Sequence, residues 1–99
     1  PREIDEVLFS HPNVKEAAAV GVPDSYRGEV VHAFVVLERK QSDSVNELIE
    51  YCKSCLADYK VPCMFHVVED LLKTTVGKID KVALRRLASK SSNVISPIH

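Results

Sequence analysis

The sequence predicts an α+β domain, a small sheet of about three main strands covered by helices. Three observations lead there. Its 99 residues suffice for one modest core. With 45% hydrophobic and 27% charged residues it matches ordinary globular domains, which excludes disordered, collagenous and coiled-coil classes. The apolar pattern then switches between helical and extended periods in the order helix, strand, strand, helix, strand, helix.

Ile4, Val7 and Leu8 lie at i, i+3, i+4 among Glu3, Asp5 and Glu6, so residues 2–10 read as a short amphipathic helix ending before Pro12. Acidic residues in its first turn suit the helix dipole. Residues 14–22 form a short Ala/Val run punctuated by Gly-Val-Pro-Asp, which favours a buried strand. Residues 30–37 are β-branched and almost wholly apolar, the mark of a central strand, with residues 23–29 as the connecting loop. Within that run His32 reads as a satisfied core residue. Ser44-x-x-Glu47 has the capping-box pattern, and Val45, Leu48, Ile49, Cys52, Leu56 and Tyr59 follow helical spacing, which predicts a helix over 45–58 closed by Pro62. Residues 64–68 have strand length. Asp80 can cap a final helix with Ala83, Leu84 and Leu87 inward and Lys81, Arg85 and Arg86 outward. The domain is expected to span 1–88, with 89–99 as a flexible tail.

Net charge is −1, which argues against a nucleic-acid binder. The distribution is uneven: residues 1–70 balance to −6, and residues 71–99, with six basic side chains against Asp80, to +5. A solvated helix face and an anion-facing surface both fit this segment. No apolar run approaches the ~18 residues needed to span a bilayer. The start Pro-Arg-Glu-Ile-Asp, with neither initiator Met nor an apolar leader, reads as a piece of a longer chain. Three cysteines without secretory features point to free thiols in a reducing, cytoplasmic compartment. Cys52-x-x-Cys55 with Cys63-x-x-His66 has a zinc-site outline, but its first pair falls inside a helical run, so buried thiols and no metal are expected. The same pair lies near a helix C-terminus, the wrong end for a redox motif.

The loop 71–80 places Gly77 immediately before Lys78. Glycine lets backbone approach a ligand closely and leaves the ammonium free to reach out, with a phosphate as its natural target. The Walker spacing is absent.

His11-Pro-x-Val14, Val20-Gly-Val-Pro-Asp24, Arg27-Gly-Glu29, Ala33-Phe-Val-Val-Leu37, Tyr59-Lys-Val-Pro62 and Lys73-Thr-x-x-Gly-Lys-Ile79, with the opening Pro-Arg-Glu-Ile-Asp, occur in one order. In this the chain resembles the C-terminal lid of AMP-forming acyl-CoA synthetases, over residues 1 to about 87. Leu72 stands where that family usually has Pro, and Asp80-Lys81 where a more basic pair is common.

The resemblance implies the fold of the mobile C-terminal domain of adenylate-forming enzymes. It also implies an acid-thiol ligase that joins a carboxylic, fatty acid to the α-phosphate of ATP and then transfers the acyl group to CoA. By the same resemblance Lys78 is the catalytic cation, Gly77 and Thr75 support its loop, and Arg27, Tyr59 and Lys60 contact CoA. The partner is a large N-terminal domain of the same chain, which would hold ATP, Mg²⁺ and the acid; this piece alone is expected to be inactive. A peptide-synthetase adenylation lid and a free-standing anion- or metal-binding module are the alternatives.

Overall fold

The computed structural model describes the backbone of residues 2–95 and the side chains of residues 2–89. The elements are α1 (Arg2–Ser10), β1 (Val14–Asp24), β2 (Gly28–Leu37), α2 (Ser44–Cys55), a 3-10 turn (Asp58–Lys60), β3 (Met64–Val67) and α3 (Lys81–Ile95). The expected order is observed.

β2 is the centre of a three-stranded sheet in the order β1-β2-β3, antiparallel to β1 and parallel to β3. Both faces of the sheet are covered, which is why β2 reads as an unbroken apolar run. Ala19, Ala33, Val35 and Leu37 pack with Ile4 and Leu8 of α1 and with Leu48 and Cys52 of α2. Ala18, Val20, Val22, Phe34 and Val36 point the other way, onto Leu71 and onto Leu84 and Ala88 of α3. Val14 joins the first face despite its parity, because a bulge between Val14 and Glu16 resets the alternation.

β1 is an edge strand, and its outer groups are met by side chains. Asp5 Oδ1 accepts from Ala19 N–H at 2.7 Å, and Arg85 Nε donates to the Gly21 carbonyl at 2.9 Å. Helices on either side thus cap the edge against pairing.

Several details depart from expectation. β1 continues through Pro23, which an edge strand tolerates, so the turn shrinks to residues 25–27. Ser44 does not cap α2: its buried hydroxyl accepts from Gln41 N–H and donates to the Arg39 carbonyl, and Asp43 holds the N-cap position without a side-chain hydrogen bond. α2 stops at Cys55, and Tyr59 falls in the 3-10 turn, 80% exposed instead of on the core stripe. In α3, Ala88 occupies the buried position one turn after Leu84, leaving Leu87 45% exposed. Helix α3 runs on to Ile95, past the expected end near Ser89; the remainder of the expected tail, residues 96–99, lies outside the described residues.

Candidate functional site

After β3 the chain forms a small hairpin. Lys73 bridges Ile79, Thr74 N–H donates to the Lys78 carbonyl at 2.7 Å, and Gly77 N–H returns to the Thr74 carbonyl at 2.9 Å. Gly77 has φ +87°, the left-handed conformation that closes such a turn and that side chains with a Cβ resist. Its role is to turn the chain; the space beside it is open. Thr75 sits exposed in the turn. The hydroxyl that supports the turn belongs to Thr74, whose Oγ1 accepts from Lys78 N–H at 3.3 Å. Thr74 belongs to the Lys73-Thr-x-x-Gly-Lys motif, but the sequence names Thr75 for this support, since the hydrogen bond depends on the path of the turn.

Lys78 is exposed, and its ammonium has no carboxylate partner among the described residues. The lysines flanking it do. Lys73 Nζ lies 3.1 Å from Glu16 and 3.5 Å from Asp70, and Lys81 Nζ lies 2.5 Å from Asp5. Hydrogen bonding to Glu16 holds the Lys73 ammonium above its usual pKa. The Leu71 N–H, and then Lys73, hold Asp70 below the usual carboxylate range. The hairpin therefore presents one uncompensated cation where the sequence showed three.

A second region lies at the β1–β2 turn. Asp24 Oδ2 accepts from Tyr26 N–H at 3.1 Å and Arg27 N–H at 2.8 Å, and Gly28 at φ +78° starts β2. Arg27 lines an open groove with Glu29, Asp58, Tyr59, Val61 and Cys63. Arg27 and Tyr59 are thus brought together. Lys60 is outside the groove lining but beside it: its Nζ bonds Glu3 at 2.5 Å, an interaction that raises its pKa, and sits over the Tyr59 ring, 5.7 Å from the centroid.

The two regions occupy opposite ends of the sheet. Lys73 is tied to Glu16 near the start of β1, whereas Arg27 follows Asp24 at its end. Those strand positions are roughly 27 Å apart at the rise of an extended chain.

The zinc outline does not assemble. Cys52 is buried on the α2 stripe, where burial, with Cys55 nearby, pushes its thiol up to about 11. Cys55 and Cys63 are exposed, against the expectation that all three thiols are buried: Cys55 lies off the stripe, and Cys63 sits at the mouth of the groove. His66 is engaged with His32. Among the described residues no group of three or more His, Cys, Asp or Glu could hold a metal, and no helix is long and apolar enough to cross a membrane.

Residues 3–78 match the AMP-binding enzyme C-terminal domain family. The long-chain-fatty-acid–CoA ligase of Bacillus subtilis is 48% identical over 79 residues, which cover 80% of this chain and 14% of that protein. The oxalate–CoA ligase of Saccharomyces cerevisiae is 39% identical over 92 residues, 93% of this chain and 17% of its own. The crystal structure of an acyl-CoA synthetase from Brucella canis superposes with a TM-score of 0.83 at 36% identity, covering 93% of this chain and 18% of that one. The chain thus spans less than a fifth of the length of each of these three relatives. A matching family over three quarters of the sequence, the same fold in a solved synthetase, and a Gly-Lys hairpin with a free ammonium agree: the chain belongs to the AMP-binding enzyme C-terminal domain family.

Proposed function

We propose that this chain is the catalytic lid of an AMP-forming acyl-CoA synthetase, serving adenylation with its Lys78 hairpin and thioester formation with its Arg27–Tyr59 groove. The observation that carries the reading is the uncompensated Lys78 ammonium on a turn whose neighbouring lysines are neutralised. In adenylation two anions, a carboxylate and the α-phosphate of ATP, must approach. A cation between them relieves their repulsion and stabilises charge growing on the phosphoryl oxygens, work that is positional and electrostatic. Lys78 is fitted to it by charge, reach and exposure, Gly77 and Thr75 forming the turn that presents it.

The second step needs a surface for a nucleotide bearing phosphates. Tyr59 offers an exposed ring for adenine, and Arg27 a guanidinium able to stack or to meet phosphate oxygens. Lys60 already lies over the Tyr59 ring, but its charge is shared with Glu3. Because the two regions stand at opposite ends of the sheet, one orientation of the domain cannot offer both to the same adenylate, which favours a lid that reorients between the half-reactions. ATP, the acid and Mg²⁺ are assigned to a larger N-terminal domain; among the described residues no group of three or more His, Cys, Asp or Glu could hold a metal. A fatty acid is the proposed substrate class, in keeping with the name of the Bacillus relative. We place the enzyme in the cytoplasm.

The test is made in the full-length ligase. Lys78→Ala should cut pyrophosphate exchange on the order of 10²–10³-fold, the loss typical of an oxyanion-hole donor. It should leave thioester formation from a supplied acyl-adenylate near wild type. Arg27→Ala and Tyr59→Ala should do the reverse, raising KM for CoA and sparing pyrophosphate exchange. Equal loss of both half-reactions in Lys78→Ala would sink the assignment.

A further inference from the structure

We propose that Lys73 and Lys81 are positioning residues that clamp the Lys78 hairpin to the body of the domain from both sides, an inference that rests on the adenylation role of Lys78. A two-stranded hairpin is at best marginally stable alone, and this one has a single bridge, Lys73 to Ile79. Its tip, residues 74–78, is exposed. Leu71 and Ile79 anchor the base of its arms in the core, and the direction in which the exposed tip points depends on what else ties the hairpin down.

The two lysines sit five residues before Lys78 and three after it. Lys73 reaches Glu16 at the β1 bulge, and Lys81 reaches Asp5 on α1. Asp5 is itself fixed by the Ala19 N–H, so Lys81 is tied to the edge of β1 as well as to α1. The side-chain exposures are 35% and 33% for Lys73 and Glu16 and 36% and 27% for Lys81 and Asp5, and the second pair is partly buried. Arg2–Glu6 and Lys53–Glu50, by contrast, lie out in solvent. The Lys81–Asp5 pair, partly buried, is screened less than a surface pair, and the exposed Lys73 ammonium is held between two carboxylates, Glu16 and Asp70. The two chain separations, 57 and 76 residues, mean that each pair fixes the hairpin to a distant element.

A displacement of about 1 Å at a reacting group can cost up to about 100-fold in rate. In the full-length ligase, Lys73→Met and Lys81→Met should each lower kcat for pyrophosphate exchange about tenfold, with KM for ATP little changed. Thioester formation from a supplied acyl-adenylate should stay near wild type, an asymmetry that general destabilisation would not produce. Peptides spanning 71–80 should exchange amide hydrogens faster in both variants. Lys73→Arg, which keeps the charge facing Glu16 and Asp70, should leave both readouts near wild type. Unchanged amide exchange in these peptides overturns the clamp, as does an equal loss in both half-reactions. Wild-type pyrophosphate exchange in Lys78→Ala would instead refute the role of Lys78, and the amide exchange would still decide whether the clamp exists.

Discussion

His32 shows what one residue's surroundings do to its chemistry. It is 2% exposed on β2, and its Nδ1 lies 2.9 Å from Nε2 of His66 on β3, whose ring stacks on Phe34 at 4.4 Å. One ring must donate and the other accept, so the two cannot both be imidazolium. Burial lowers the pKa of both, and His32 lowers that of His66 further. With folded values below the unfolded one of about 6.5, the unfolded chain binds protons first as pH falls. The pair's contribution to stability is therefore complete above that pH and lost on acidification. The urea midpoint should fall between pH 7.5 and 5.5, and His66→Phe, which keeps the stack and removes one of the two titrating rings, should shrink the drop. A midpoint flat across that range would contradict a neutral buried pair. His32 was legible as a satisfied core residue; its partner, 34 positions away, was not.

At the scale of the element, α3 is docked by a cap and a narrow stripe. Asp80 Oδ1 accepts from Ala83 N–H at 3.0 Å, as its place before the apolar run suggested. Leu84 and Ala88, one turn apart, enter the core beside Phe34, while Leu87 remains outside. Leu84→Ala should cost about 2–5 kcal/mol of unfolding free energy, and Leu87→Ala no more than about 0.5. Urea denaturation measures both, and equal costs would place the wrong face of α3 on the sheet. The apolar spacing announces an amphipathic helix but leaves its rotation about the axis open by one residue, about 100°. The opposing surface decides between Leu87 and Ala88.

Across the whole molecule, the sheet separates two sites by its length. Sites so far apart with no shared partners should act independently, within about 0.5 kcal/mol. With acyl-adenylate supplied, Arg27→Ala should raise KM for CoA by the same factor, within about twofold, in wild-type and Lys78→Ala backgrounds. A tenfold difference would mean that the two regions form one surface.

The sequence by itself determined what depends on near neighbours. The short Ala/Val run and the β-branched apolar run set β1 and β2, the 3.6-residue periods set the helices, Asp80 announced its cap, and Gly77 before Lys78 announced an exposed cation on a turn. Only the tertiary structure decided which distant groups meet. It set β3 parallel to β2, paired Lys60 with Glu3, left Cys55 and Cys63 exposed, and paired Lys73 and Lys81 with carboxylates while giving Lys78 none among the described residues. The reason is physical. Local pattern fixes which way a side chain points from its own element, but an ion pair or a buried contact needs two elements placed together, and that placement is set by packing the whole core at once.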